Sequence, residues 1–236
     1  MLSLYFNNTP MPTWLKVTNI SESLMPNFES TRFKTSFKKR VISVDISFKR
    51  NKNLDRQKKA EFLNFIKGDN FNLSKLSLPN HNDRYYLAKV TNISDIDGTI
   101  RKGSGTITFT CFDYREYDES KTILISNNGK ITLKYNGSEE IYPTIKVNII
   151  NNCSKIKINF NNGLSTSFLE FNDDFRSGDI LILEQSTNKL TVNNINKSEI
   201  WHLNSKRHKL MPGTTNSYSL ASGSATFSIE FNAAYL

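Results

Sequence analysis

The sequence predicts a mainly β protein with one α-helix, organised in two domains. Short runs of alternating apolar and polar residues recur along the chain, and such alternation is typical of half-buried strands. Turn-forming pairs such as Asn128-Gly129 separate these runs, which favours antiparallel hairpins. A helical spacing of apolar residues occurs convincingly in a single segment, from Arg56 to about Lys67.

Four strands are predicted in the first half of the chain. In the strand from Val41 to Phe48 the apolar residues alternate with polar ones, so one face is expected to be buried. The strand from Gly105 to Asp113 places Ile107, Phe109 and Cys111 on one face and ends in an acidic and aromatic turn. The remaining strands are expected at Phe71 to Leu76 and at Arg84 to Thr91, in the sequence DRYYLAKV.

The predicted helix has recognisable signals at both ends. Asp55 is placed to cap its amino end, and Gly68 follows its last residue. Apolar positions at helical spacing are Ala60, Phe62, Leu63 and Ile66.

After Asn136-Gly137 the pattern becomes wholly β, with short strands at regular spacing, which predicts an antiparallel β-sandwich. We therefore expect a first domain at 1–136 and a second at 137–236. The hairpin that contains Asn128-Gly129 fits either domain. The strands of the second half are expected at Ile141 to Ile150, Lys155 to Phe160, Phe168 to Phe171, Ile180 to Leu183, Leu190 to Val192 and Ala225 to Phe231.

Composition is that of a soluble globular protein, with 236 residues, 37% hydrophobic and 22% charged. The apolar runs are too short to cross a bilayer, so membrane insertion is not expected, and the first residues lack the pattern of a secretory signal. The two cysteines, Cys111 and Cys153, are far apart in the sequence, and we expect both to be reduced and structural.

Positive charge is concentrated in the first half. Residues 1–136 contain 22 Lys and Arg against 13 Asp and Glu, which accounts for the whole net charge of +9. Eleven of these cations lie between Arg32 and Lys59. Three interpretations of this stretch are open: it contacts phosphates, it docks on an acidic neighbouring protein, or it forms a solvated face that keeps the subunit soluble. Few aromatic residues accompany the cations, which disfavours specific nucleic-acid recognition.

No catalytic motif is present: the chain has no HExxH, GxSxG, Walker-type loop or CxxC pair. His81, His202 and His208 are the three histidines, and we expect them in surface or turn positions. Asp173, Asp174 and Asp179 match no calcium-loop spacing and indicate a solvated turn. We predict no catalytic, cofactor-binding or metal-binding residues, and no enzyme activity.

Trp201, with Tyr218 nearby in sequence, is the one candidate for a sugar-stacking aromatic in the second half. An anchor in the core or in an interface is the competing interpretation. Trp201 is therefore a candidate contact for a glycan or for a partner protein.

The order of these motifs resembles a known family. A basic strand (RVISVDISFKR), a short helix (RQKKAEFLNFIKG), the DRYYLAKV strand and the TITFTCFD strand together look like the first half of the distal tail (Dit) proteins of long-tailed bacteriophages. The segments NGSEEIYPTIKV and LMPGTTNSYSL are similar to the second half. Members often carry a proline after the aspartate that ends the TITF strand, whereas Tyr114 follows Asp113 here.

The resemblance implies a fold and a role. It implies a first domain that is sandwich-like or barrel-like with one helix, and a galectin-like β-sandwich as the second. Six copies would form a ring at the virion tail tip after assembly in the host cytoplasm, between the tail tube protein and the tail-associated fibre or lysin protein. A receptor-binding protein is a further partner, and DNA would pass the channel only as cargo. From strand character and charge we expect ring or partner contacts at Lys38, Lys39, Arg40, Lys49, Arg50, Arg84 and Tyr86.

Two other functions compete with this structural role. The first is a carbohydrate-binding module for the host surface, centred on Trp201 in the second domain. The second is an enzyme such as a glycan hydrolase, which the absence of catalytic motifs disfavours.

Overall fold

The structure, a computed structural model, describes residues 4–27, 36–49, 56–70, 72–79, 83–94 and 104–236. The chain divides into two compact units, Met1–Glu119 and Ser120–Leu236. In both units the described strand pairs are antiparallel, and the described part of the first unit contains one α-helix. The expected mainly β fold class is therefore confirmed.

The first unit is an antiparallel sheet with a helix. Its strands, in chain order, are β1 (Tyr5–Phe6), β2 (Thr9–Pro10), β3 (Leu15–Asn27), β4 (Ser36–Phe48), β5 (Ser74–Ser77), β6 (Arg84–Ser94) and β7 (Ser104–Asp118), and the helix α1 (Arg56–Lys67) lies between β4 and β5. Within the sheet the strands follow the order β2-β1-β5-β6-β7-β4-β3.

The core of this unit lies on one face of the sheet. In β4 and β7 the alternating residues are fully or almost fully buried, as predicted, because the period of two sends every second side chain to the same face. These residues are Ile42, Val44, Ile46, Ile107, Phe109 and Cys111. Strand β6 buries both Tyr85 and Tyr86, so both of its faces are covered at that point.

Helix α1 has the predicted bounds and packs on this core. Phe62, Phe65 and Ile66 are buried, and the ring of Phe65 meets that of Phe6 edge-on at 6.3 Å. Leu63, which we expected to be buried, is 59% exposed, because the buried stripe follows positions 62, 65 and 66. Ala60 is exposed as well. The expected cap, Asp55, lies outside the described residues.

Strand β3 was not predicted, although it is 13 residues long. Its pairing with β4 changes register between Val17 and Asn19, which breaks the alternation of apolar residues on which the prediction relied. β3 pairs with β4 from Leu15 to Asn27, whereas β4 pairs with β7 only from Arg40 to Ser47. The β3–β4 pair therefore continues past its described contact with β7 as a two-stranded arm.

Strand β7 continues where we expected a turn. It runs on to Asp118, and its register against β6 jumps from Cys111 opposite Ala88 to Glu116 opposite Tyr86. Residues 112–115 of β7 therefore face Leu87 alone, which makes a wide bulge. The acidic and aromatic residues after the TITF strand form this bulge, and the strand resumes after it.

The second unit is an antiparallel two-sheet structure. Its strands are β8 (Thr122–Ile125), β9 (Lys130–Lys134), β10 (Thr144–Ile149), β11 (Cys153–Asn161), β12 (Thr166–Phe175), β13 (Ile180–Glu184), β14 (Lys189–Val192), β15 (Ile195–Asn196), β16 (Thr215–Ser222), β17 (Ala225–Phe231) and β18 (Ala234–Tyr235). One sheet has the order β15-β14-β13-β10-β17-β8, and the other has the order β12-β11-β16-β9.

Both sheets of this unit contribute fully buried side chains, as expected for a sandwich. They include Ile145, Val147, Leu181, Leu183, Phe227 and Ile229 from one sheet and Ile156, Ile158, Leu169, Phe171 and Tyr218 from the other. Tyr135, just after β9, meets Phe231 of β17 edge-on at 5.8 Å, so the two sheets touch there.

Tyr135 also ties distant segments of the second unit together. Its hydroxyl donates to the carbonyl of Glu139 at 2.8 Å and accepts from the backbone N–H of Ala234 at 2.9 Å. Gly137 passes so close that a Cβ there would lie 2.1 Å from the Tyr135 hydroxyl oxygen. A side chain at 137 therefore has no room.

The hairpin of β8 and β9, which the sequence left between the two domains, pairs with strands of the second unit. β8 pairs with β17 and β9 with β16, and its turn has Asn128 and Gly129 at positive φ as the Asn-Gly signal predicts. The units divide before this hairpin, at 119 and 120, whereas the expected division lay after it, at 136 and 137.

Among the residues that the structure describes, no helix combines the length and the apolar character that a membrane span requires.

Candidate functional site

Lys38 and Lys39 lie on the two-stranded arm formed by β3 and β4. Lys39 is opposite Met25 of β3, and Met25 is 40% exposed. The arm thus carries an exposed apolar side chain beside a cation. Lys38 lies within β4, but its side chain falls outside the described residues.

Arg40 anchors the base of this arm inside the first unit. Its Nη1 donates to Glu22 Oε2 at 2.8 Å and to the Tyr86 hydroxyl at 2.9 Å. The guanidinium carbon also lies 4.9 Å from the centre of the Tyr86 ring. Arg40 is 7% exposed and Tyr86 1% exposed, so both contact parts of the same chain and have little surface for a neighbouring copy.

This anchor has consequences for the ionisation of its members. Burial raises the pKa of the Tyr86 hydroxyl well above its usual range, and the negative charge of Glu22 adds to this effect. The hydroxyl therefore stays protonated. Arg40 Nε is buried without a hydrogen-bond partner among the described residues. The hydrogen bonds of the guanidinium to Glu22 and Tyr86 are both made by Nη1.

Arg84 lies next to this anchor on β6 and forms ion pairs with β7. Its Nη1 is 3.3 Å from Glu116 Oε2 and its Nε is 3.6 Å from Asp118 Oδ1. Glu116 is 4% exposed, so Arg84 neutralises a buried carboxylate. The sequence predicted Arg40, Arg84 and Tyr86 as contact residues, and the structure brings them together as a support for strands β4, β6 and β7.

The bulge of β7 is held in shape by its own side chains. Arg115 donates to both oxygens of Asp113, from Nε at 2.8 Å and from Nη2 at 2.6 Å, and the Tyr117 hydroxyl also donates to Asp113. Burial alone would raise the pKa of the Asp113 carboxyl, but these hydrogen bonds outweigh it and lower that pKa. The bulge leaves Phe112 56% exposed. Sequence reasoning missed this arrangement, although the closely spaced acid, base and tyrosine were visible.

The two remaining basic candidates of the first unit lie beyond the end of β4. Lys49 Nζ donates to the carbonyl of Thr13 at 2.6 Å, which fixes its side chain on the chain's own backbone. Arg50 lies outside the described residues.

Trp201 is half-buried in the second unit. Its backbone forms an isolated bridge with Phe171 of β12, and the two rings lie 6.4 Å apart. One part of the indole is therefore used in packing.

Of the two histidines that the structure describes, His208 is not in the expected surface position. It is 2% exposed and packs between the rings of Phe160, at 3.9 Å, and Tyr218, at 5.1 Å. Burial lowers the pKa of His208 to about 4, a shift that a hydrogen bond with Asn216 opposes. The apolar context that buries it comes from strands far away in the sequence. His202 is half-buried, and His81 lies outside the described residues.

Cys111 is fully buried in the centre of β7, and burial raises the pKa of its thiol to about 12. Both cysteines are free, and Cys153 is partly exposed. Within the described ranges, no three His, Cys, Asp or Glu side chains come together as metal ligands would.

The second half of the chain matches a known protein family. Residues 136–235 match the family described as the siphovirus-type tail component, C-terminal domain, SPP1_Dit. This part of the chain is therefore similar to the C-terminal domain of Dit proteins. No curated protein matches the chain in sequence.

Two solved structures share the fold of this chain over nearly its full length. The SPP1 Dit protein, a paradigm of the hub adsorption apparatus in phages that infect Gram-positive bacteria, superposes with a TM-score of 0.75 at 15% identity, covering 98% of each chain. A chain in the activated baseplate of phage p2 superposes with a TM-score of 0.52 at 12% identity, covering 99% of each chain. The resemblance to the Dit family that the sequence indicated is confirmed.

Proposed function

We propose that this protein is a structural component of the distal tail of a siphovirus-type phage, where its first unit forms a closed hexameric ring. The observation that carries the proposal is the agreement of fold over 98% of both chains with the SPP1 Dit hub protein. The match of residues 136–235 to the tail-component family adds support that does not depend on the first unit.

The edge of the first sheet favours association with further copies. Strand β3 is 13 residues long, and among the described strands it pairs only with β4. A long edge strand with unpaired backbone groups promotes association unless something covers it. A closed ring covers such an edge on every subunit, because each copy offers one surface and receives another.

The arm and the bulge of β7 expose side chains suited to such a contact. Met25, opposite Lys39, and Phe112 in the bulge of β7 are exposed apolar groups. Lys39 provides positive charge next to one of them. We propose that the arm, with Lys38 and Lys39, contacts the neighbouring copy, that Lys49 and Arg50 mark the adjoining end of β4, and that Arg40, Arg84 and Tyr86 hold the arm in position from inside.

The proposal also includes the partners and the location of the protein. The ring would connect the tail tube protein to the tail-associated fibre or lysin protein at the virion tail tip, after assembly in the host cytoplasm, and a receptor-binding protein would dock on the second unit. DNA would pass the channel as cargo. The cationic excess of the first half suits docking on acidic surfaces of neighbouring tail proteins. In this role the protein is a scaffold without catalytic activity.

Light scattering after size exclusion, combined with negative-stain imaging of the purified chain, tests the ring. We expect particles of six copies with a central hole. Monomers alone over a wide range of concentration, imaged as compact single particles, would contradict the proposal.

A further inference from the structure

The outer face of the four-stranded sheet in the second unit carries an open cavity of about 390 Å³. This volume falls in the range of small-ligand sites, roughly 300–1,000 Å³. Polar residues line it together with two phenylalanines, the buried Phe160 and the partly exposed Phe168. The polar lining residues on the same face as Phe168 are Asn159, Asn161, Thr166, Ser217 and Ser219. None of the lining side chains is ionisable.

Strand register brings these side chains into two adjacent rows. Asn159 of β11 is opposite Phe168 of β12 and Ser219 of β16. Asn161 is opposite Thr166 and Ser217 on the same two strands. Since residues two apart on a strand share a face, the two rows form a continuous surface of amides and hydroxyls with Phe168 at one side.

Several polar groups of this surface are free to bind a ligand. The side chains of Asn159, Thr166 and Ser219 make no hydrogen bond within the part of the chain that the structure describes. Asn161 uses its Oδ1 to accept from Gly163 N–H at 2.7 Å, which leaves its amide NH₂ as a donor. An amide offers both donors and acceptors, and a hydroxyl offers one donor and two acceptors.

Phe168 is fixed in place beside these groups. The ammonium of Lys157 lies 4.0 Å from the centre of its ring, and Glu170 holds Lys157 there through an ion pair at 3.4 Å. The ring therefore has a defined orientation before any ligand arrives. Glu170 also pairs with Lys155 at 2.9 Å, so the two lysines share one carboxylate. Neither lysine is among the residues that line the cavity.

The loop between β11 and β12 joins two residues that line the cavity, Asn161 and Thr166. Asn162, which is 6% exposed, accepts at its side-chain oxygen from the backbone N–H groups of Leu164, at 3.0 Å, and Ser165, at 2.8 Å. Gly163 adopts a φ of +79° in this loop. These bonds hold the loop without using the side chains of Asn159, Thr166 and Ser219.

We propose that this surface, which we call the β11–β12–β16 groove, binds a neutral sugar unit of a polysaccharide. A pyranose presents hydroxyls at its rim, which amides and hydroxyls of the groove pair with, and C–H groups on its faces, which pack on an aromatic ring. No lining residue is a cation, so an anionic ligand would have no charged partner there. An apolar ligand would leave the amide groups without hydrogen-bond partners.

The groove is distinct from the site that the sequence suggested for a glycan. Trp201 is not among the residues that line it. The proposal does not depend on the ring, although a ring of several grooves would strengthen weak single contacts through multivalency. A shallow open site for one sugar unit implies a dissociation constant on the order of 1 mM for each groove.

Saturation-transfer NMR on the full chain tests the proposal, because it observes the ligand and works for assemblies of any size. The probes are lactose, cellobiose and N,N′-diacetylchitobiose, each at about 10 mM, well above the expected dissociation constant. We expect saturation transfer to at least one of them. Phe168→Ala and Asn159→Ala should each weaken binding about tenfold, while Trp201→Ala leaves it unchanged.

Three outcomes would overturn the proposal: no transfer to any of the three sugars, binding that survives both groove substitutions, or binding that is lost in Trp201→Ala alone. The proposal would also be overturned if the chain bound a tail protein in a Phe168-dependent way and bound no sugar. The groove would then be a protein-binding site. Light scattering on Phe168→Ala distinguishes a failure of the groove proposal from a failure of the ring proposal. The substitution lies in the groove and should leave the oligomeric state unchanged.

Discussion

Arg40 shows how a single buried cation organises one end of the first unit. Its partners come from β3 and β6, so Glu22, Arg40 and Tyr86 join three strands. Removing one partner of a buried charged group costs more than the bond itself is worth, because the remaining charge stays desolvated. We therefore expect the base of the arm to depend on each of these side chains.

Tyr86→Phe tests this dependence with the smallest possible change. The substitution removes the hydroxyl that accepts from Arg40 and leaves the ring in place, so the free energy of unfolding should fall by about 1–3 kcal/mol. Chemical denaturation followed by tryptophan fluorescence measures it, since Trp14 is buried in the same unit.

The adjacent Tyr85→Phe is the matched control. Tyr85 is 8% exposed, and its hydroxyl has no hydrogen bond within the described ranges. Its ring stacks on Tyr117 at 5.7 Å, a contact that phenylalanine preserves. Equal losses in the two variants would show that the Arg40 bond does not contribute.

His208 predicts a pH dependence of the second unit. The unfolded chain takes up its proton near pH 6.5, but the folded chain does so only near pH 4. Stability is therefore full above about pH 6.5 and decreases as the pH falls toward 4. Between pH 6.5 and about 5 we expect a loss of about 1–2 kcal/mol.

Denaturation curves of the wild type and of His208→Phe at these two pH values measure this loss. The aromatic replacement keeps a ring between Phe160 and Tyr218 but cannot take up a proton. An identical pH dependence in both proteins would exclude His208 as its source.

Sequence reasoning identified the buried face of the alternating strands, but it did not predict the burial of Arg40. Ile107, Phe109 and Cys111 are buried as predicted, because the period of two needs no knowledge of other strands. Arg40 was expected at a surface contact and is 7% exposed. Its burial depends on Glu22 and Tyr86, 18 and 46 residues away in sequence, and no local pattern carries that information.

At the scale of elements, the regular parts of helices and strands were predictable and the irregular parts were not. Helix α1 has the predicted bounds, since its signals are local. Strand β3 and the bulge in β7 were missed, because each shifts the register of pairing and so interrupts the alternation. Strand β16 was missed because a buried Asn216 takes an apolar position in its pattern.

The arm predicts a charge-sensitive assembly. Lys39→Glu places a carboxylate beside Met25, where we expect an acidic or apolar neighbouring surface, and like charges across an interface disfavour association. Ring formation, measured by light scattering after size exclusion, should be reduced at least tenfold in affinity, about 1.4 kcal/mol. Circular dichroism should show an unchanged fold.

Lys134→Glu provides the control for this charge change. Lys134 is an exposed residue on β9 of the second unit, so the same change of net charge occurs away from the arm. If both substitutions disrupt the ring equally, net charge and not the arm is responsible.

The pairing of the β8–β9 hairpin with the second unit predicts which fragment of the chain folds on its own. Ile131 and Leu133 of β9 are buried, and burial of each such side chain contributes about 1.5–3 kcal/mol. A fragment of residues 120–236 should fold cooperatively, whereas 137–236 should melt at a much lower temperature or fail to fold. Calorimetry of the two fragments compares them directly, and equal melting temperatures would place the hairpin outside the folding unit.

For the whole molecule, the fold class and the family were predictable from motif order, but the arrangement of the candidate contacts was not. Lys38, Lys39 and Arg40 are consecutive in the sequence, yet they separate into an arm and a buried anchor because β7 pairs with β4 only from Arg40 onward. The polar groove likewise arises from three strands whose residues, such as Asn159, Phe168 and Ser219, become neighbours only through register.

The unequal burial of the two cysteines offers a way to count subunits. Cys111 is inaccessible and its thiol resists ionisation, whereas Cys153 is partly exposed. A maleimide dye should therefore label native particles once per chain, without any engineered handle. Stepwise photobleaching of single particles would then report the stoichiometry directly, one fluorophore at a time.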